Sequence, residues 1–119
     1  VTSPTSRSLA HLRDAGWTVA IVEHWNHYAK VKQDLFGFGD LLCVRAGIPP
    51  MLVQTTTQDN AAKRVAKILA EPRAETWLRS GCSIVVHGWA KRGGRGERKT
   101  WSVSERDVMV EEFKKRESA

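Results

Sequence analysis

A chain of 119 residues with 41% hydrophobic positions can bury one core and is too short for several. Lysine and arginine number 19 against 13 acids, a net charge of +6 that turns attention to polyanionic partners, nucleic acid first. The two isolated cysteines, Cys43 and Cys82, exclude a secreted disulfide framework and a cysteine metal motif, and no apolar run approaches the roughly 18 residues of a membrane span.

Ser3-Pro4-Thr5 reads as a helix start, with a hydroxyl cap and an early proline. The stretch before it has no apolar signal-peptide core, so the expectation is a cytoplasmic chain with no membrane partner. Leu9 and Leu12 mark the helix's apolar face, and Gly16 ends it. Trp17 to Val22 is rich in β-branched residues and reads as a strand. Residues 23–39 have no steady period and read as one long loop, and four aromatics within it argue for a functional loop that contacts DNA or the active site. Leu41 to Arg45 and Met51 to Thr55 form an antiparallel pair around the turn at 46–50. Their nearly continuous apolar runs predict burial on both faces.

Asp59 or Asn60 caps a second helix running to Leu69, broken at Pro72. A short helix covers Ala74 to Ser80. Ser83 to Trp89 is a strand, residues 91–99 are a basic glycine-rich hairpin tip, and Thr100 to Val103 is the return strand. A last amphipathic helix is expected from Ser104 to Arg116 through Val108, Met109 and Phe113, with residues 104–119 forming this helix and a solvated tail. The expected order is α-β-β-β-α-α-β-β-α in one domain over 1–119: an α/β fold with a central mixed sheet flanked by helices.

Aspartate is a poor strand former and costly to bury unpaired, so Asp40 at the mouth of the second strand calls for a partner. A hard cation is one, and backbone amides are the other. If the hairpin pairs as expected, Gln54 and Thr56 share a face near Asp40. His24 and His27 stand three apart in the loop, where that spacing fixes no ligand geometry, and His87 reads as structural or groove-facing.

Asp40, followed 14 positions later by Gln54-Thr55-Thr56 in a hairpin, resembles the motif of the PD-(D/E)XK, or restriction-endonuclease-like, nuclease superfamily. The order of elements over residues 3–103 is similar to archaeal-type Holliday junction resolvases and VRR-NUC-like nucleases. The chain departs from the pattern at Thr56, where the family carries lysine, and at Thr5 and Ser6, where resolvase-like relatives often place a glutamate.

The resemblance implies a restriction-endonuclease-like fold and a metal-dependent DNA endonuclease that hydrolyses phosphodiesters, on branched or structured DNA. It implies Mg²⁺ or Mn²⁺ held by Asp40 and Gln54, with Glu23 or Asp34 as a further carboxylate. Lys32, ahead of Lys30, would replace the missing lysine. Many members dimerise, and the last helix is either the homodimer interface or packs on the chain's own core. Lys63, Arg64 and Lys67 on one helix, and Lys91, Arg92, Arg95, Arg98 and Lys99 on the hairpin tip, are candidate phosphate contacts. Trp25 and Tyr28 are candidate base-stacking residues. Thr56 leaves another reading open: a catalytically inactive nuclease fold serving as a DNA-binding or protein-binding module. Charge and aromatics alone leave a third, an RNA-binding protein.

Overall fold

The computed structural model describes residues 3–113. Helix α1 (Pro4–Asp14) starts where the sequence places it: Ser3 Oγ accepts the Ser6 amide and Pro4 occupies the first turn. Strand β1 (Thr18–Ile21) follows, then a short ribbon, β2 (His24–Asn26) and β3 (Val31–Gln33). Strands β4 (Leu41–Arg45) and β5 (Ile48–Thr57) form the antiparallel hairpin, with a turn tighter than expected. A 3₁₀ turn at Gln58–Asn60 leads into α2 (Ala61–Leu69) and α3 (Pro72–Arg79), and β6 (Ser83–Arg92) and β7 (Thr100–Val108) complete the order.

The main sheet runs β1-β4-β5-β6-β7, and β2–β3 forms a separate two-stranded sheet. Only β5 and β6 are parallel, because α2 and α3 form the crossover between them. The sheet is covered on both sides, which is why β5 and β6 read as continuous apolar runs. Leu52, Ile84 and Val86 pack with Val65 and Ile68 of α2 and Ala74 of α3. Leu41, Met51, Val53 and Val85 pack with Leu12 of α1. The 3₁₀ turn comes so close to β6 that a Cβ at Gly88 would lie 3.2 Å from Gln58 Cα and 3.3 Å from Ala61 Cβ.

Four expectations are corrected. Residues 23–39 are not one loop, because they contain the β2–β3 ribbon. Asn26 makes its turn, its side-chain oxygen accepting the amides of Tyr28 and Ala29. The helix over Ala61–Leu69 carries no side-chain cap from Asn60. Pro72 both ends that helix and opens the next, where Glu71 accepts the Arg73 amide.

The largest correction is at the C-terminal side. Residues 104–108 extend β7, pairing from Ser104 opposite Gly88 to Val108 opposite Ile84. The long central strand β6 needs a full-length partner for its backbone groups, and that demand overrides a short helical period. Helical residues begin only at Glu111, and 114–119 lie outside the described residues. Val108 and Phe113 are buried in the chain's own core. Of the three apolar residues expected on a last helix, these two therefore pack inside the chain and Met109 stays exposed. No helix among the described residues is long and apolar enough to cross a membrane.

A candidate metal centre beside the central hairpin

Asp40 sits inside the sheet rather than at its margin. Its amide donates to the Val53 carbonyl and its own carbonyl accepts the Val22 amide, so it is locked between β1 and β5 and is 3% exposed. One carboxylate oxygen, Oδ2, accepts three hydrogen bonds: Gln54 Nε2 at 2.7 Å, the Thr55 amide at 2.7 Å and Thr55 Oγ1 at 3.1 Å. Thr5 of α1 bonds Thr55 Oγ1 at 2.8 Å, tying the first helix to the same group.

Glu23 and Asp34 come to meet it. Glu23 lies between β1 and the ribbon, and Asp34 directly follows β3. One oxygen from each of Glu23, Asp34 and Asp40 lies within 4.8 Å of the others. Ligand bonds of about 2.0–2.6 Å span about 4–5 Å across a hard cation, so one Mg²⁺, Mn²⁺ or Ca²⁺ can reach all three. The sequence poses Glu23 and Asp34 as alternatives, and the fold brings both.

The electrostatics match a site that receives positive charge. Burial, helped by neighbouring Asp34 and Glu23 and opposed by the Thr55 amide, pushes the Asp40 pKa from 3.8 to about 8. Gln54 is 2% exposed, lines the pocket, and its Oε1 has no hydrogen-bond partner. A buried, unpaired carbonyl oxygen beside three carboxylates extends the all-oxygen donor set that a hard cation takes. The residues present fit such an ion.

Three cations face the same pocket of about 290 Å³: Lys32 from β3, and Arg64 and Lys67 from α2. Lys32 Nζ is 3.8 Å from Glu23 and Lys67 Nζ is 4.0 Å from Asp34. Of the two lysines weighed for the missing family position, Lys32 lines the pocket. Lys30 lies in the ribbon turn with a left-handed backbone (φ 55°) and does not line it.

Thr56 is buried and does not line the pocket, so the expected Asp40–Gln54–Thr56 face is corrected. Asp40 lies deep enough to bond the backbone of β5, which selects Thr55, whose amide and hydroxyl point to it. Nothing in the sequence pattern singles out Thr55.

The remaining candidates are dispersed. Lys63 is exposed on α2. Lys91, Arg92, Arg95, Arg98 and Lys99 are exposed along the β6–β7 arm. There, Lys91 Nζ lies 5.4 Å from the centre of the Trp101 ring, Arg7 stacks over the same ring at 3.6 Å, and Arg92 bonds Ser104. Trp25 and Tyr28 are exposed on the ribbon, with Trp25 directly opposite Lys32. His24 lines a neighbouring cleft, and His27 is exposed in the ribbon turn.

His87 is structural. It is fully buried; its Nδ1 is 2.9 Å from Ser8 Oγ, and its Nε2 is 3.3 Å from Glu105. The Trp89 Nε1–H donates to Ser8 at 2.8 Å, so the one Ser8 hydroxyl links the indole and the imidazole. This serine–histidine–acid chain resembles a hydrolytic triad in composition alone, because Ser8 has no access to solvent. Cys43 is buried, which pushes its thiol pKa up to about 11 and leaves it inert.

No family model matches the chain, and no curated protein or solved structure matches it.

Proposed function

We propose that this chain is a metal-dependent DNA endonuclease of the PD-(D/E)XK type, with a restriction-endonuclease-like fold. The observation that carries the reading is the convergence of Glu23, Asp34 and Asp40, with an orphaned Gln54 oxygen, in a pocket lined by Lys32, Arg64 and Lys67. Carboxylates to hold a cation and ammonium or guanidinium groups to hold a phosphate are the two halves of a phosphodiesterase site. The mixed sheet supports the fold assignment: the aspartate at the head of β4 meets the glutamine of β5 as the resemblance implies.

When bound, Mg²⁺ or Mn²⁺ would polarise the scissile phosphate and lower the pKa of the attacking water. Glu23, Asp34 and Asp40 would hold it through carboxylate oxygens, and Gln54 through its free carbonyl oxygen. Asp40 gives up its proton on loading. Arg64 and Lys67 bind the non-bridging phosphate oxygens. Lys32 sets its ammonium charge against the negative charge that grows on phosphorus oxygens as the water attacks. Thr5, acting through Thr55, orients the Asp40 carboxylate. The exposed cations of the β6–β7 arm provide phosphate contacts that carry no base information.

The test is cleavage of labelled duplex, single-stranded and four-way-junction DNA with Mg²⁺ or Mn²⁺, wild type beside Asp40→Ala. Metal-dependent cutting that disappears in Asp40→Ala is the expected result. The buried position of Thr56 favours a second reading, an inactive nuclease fold that binds DNA or protein. Salt-sensitive DNA binding with no cutting under either metal would select it.

A further inference from the structure

A second cleft, of about 540 Å³, opens beside the carboxylate pocket, and the two share Lys32, Asp34 and Lys67 as a common wall. Its far side is Phe36, Arg73 and His24. Phe36 is held in the left-handed region (φ 56°), which a bulky side chain rarely adopts. The conformation is enforced: Leu35 and Gly39 exchange both backbone hydrogen bonds at 2.8 Å, closing the turn between them. That turn places Asp34 in one pocket and projects Phe36 to the other. The ring stands 6.3 Å from Trp77 and still leaves Phe36 38% exposed. Arg73 is steadied by Glu71 at 2.6 Å, as Lys67 is by Asp34 and Lys32 by Glu23. The cleft therefore combines an aromatic shelf with pre-positioned cations.

Resting on the nuclease reading above, we infer that this cleft is a subsite for one unpaired nucleotide next to the scissile phosphate, its base against Phe36 and its phosphate toward Lys67 and Arg73. The volume lies within the roughly 300–1,000 Å³ of small-ligand sites, enough for one nucleotide. A base reaches an aromatic shelf inside a cleft only when it is out of the duplex stack. The substrate class is thus DNA with an unpaired residue beside the cut, such as a gap, flap or junction arm.

The experiment measures DNA binding in an Asp40→Asn background, so that cleavage plays no part. A short duplex is compared with the same duplex carrying an unpaired 2-aminopurine at a gap. Phe36→Ala and Phe36→Tyr are each combined with Asp40→Asn, and thermal unfolding confirms that each variant is folded.

Tighter binding to the gapped DNA, quenching of 2-aminopurine, and loss of both in Phe36→Ala but not Phe36→Tyr are expected. The affinity loss for gapped DNA should be about 5- to 100-fold, the range for one base on one aromatic ring. Equal binding of gapped and paired DNA, or a gap preference that survives Phe36→Ala, overturns the subsite while leaving the nuclease reading intact. Failure to bind any of these DNAs overturns both.

Discussion

Two buried polar clusters lie along β5 and β6, and they are built on opposite terms. Around His87, Trp89 donates to Ser8 and Ser8 bonds the imidazole Nδ1, while Nε2 lies 3.3 Å from Glu105 without a hydrogen bond. Around Asp40, three carboxylates crowd together and one amide oxygen goes unpaired. The first cluster fastens α1 to the sheet. The second crowds three acids together and keeps Asp40 from ionising at its ordinary pKa, which is a cost to the folded state unless a ligand offsets it. What separates the two is charge and access: the first joins elements inside the core, and the second gathers carboxylates at the wall of a pocket.

The comparison breaks most sharply at Asp40. Asp40→Ala should lower metal-dependent cleavage by more than about 100-fold, beyond the 10–100-fold typical of residues that merely orient metal ligands. Asp40→Asn should raise the melting temperature of the metal-free protein by about 3–8 °C. The new amide would present an oxygen to Gln54 and Thr55 and donors to Glu23 and Asp34. The same variant should lose the upward shift in melting temperature that Mg²⁺ or Mn²⁺ gives the wild type through binding linkage. Calorimetry with and without the ion checks both.

Next in size, Lys32→Ala should reduce kcat by about 10–1,000-fold with little change in KM, the pattern of a charge felt mainly in the transition state. Lys30→Ala, on the outer turn of the ribbon, should cleave like wild type. Steady-state kinetics on the best DNA substrate separates them.

At the paired cluster the effect is on stability. Ser8→Ala leaves His87 Nδ1 and Trp89 Nε1 without partners and should cost about 1–3 kcal/mol in denaturant unfolding, with no loss of metal-induced stabilisation.

The smallest effect is on pH dependence. Burial lowers the His87 pKa, with Glu105 opposing and His11 reinforcing the shift. A histidine whose folded pKa lies below its unfolded value of 6.5 contributes stability above pH 6.5. That contribution is lost as pH falls through the folded value. Asp40, raised to about 8, acts in the opposite sense, adding stability as pH falls from about 8 towards 3.8. The His87 contribution is therefore read as the difference in unfolding free energy between wild type and His87→Asn, which should shrink as pH falls below 6.5.

The legible parts of the chain were those whose local chemistry agrees with their fold. The β4–β5 hairpin shows its apolar runs, and Asp40 at its mouth is conspicuous because nothing cheap explains an aspartate there. The preference for Lys32 over Lys30 agrees with the pocket, although both lie in a segment read as irregular. That segment hid the β2–β3 ribbon because its strands are largely exposed and carry no alternation. The far half of β7 was misread as helix for a related reason. Ser104 to Asp107 is polar and at most partly buried, so its pairing is dictated by β6 and not by its own pattern. Thr55 and Phe36 owe their places to depth and backbone turn, neither of which leaves a trace in residue type.

The sheet's two margins differ in their tolerance of neighbours. β1 is four residues long, whereas β7 presents nine with one flank unpaired within the sheet. A bare flank of that length invites another chain to dock strand to strand, the first step toward fibrils. Here the exposed run Glu105-Arg106-Asp107 sets charges of alternating sign along it, and Arg106 is further tethered to Glu112 at 2.7 Å. Charge on such a flank is a gatekeeper that disfavours strand-to-strand docking.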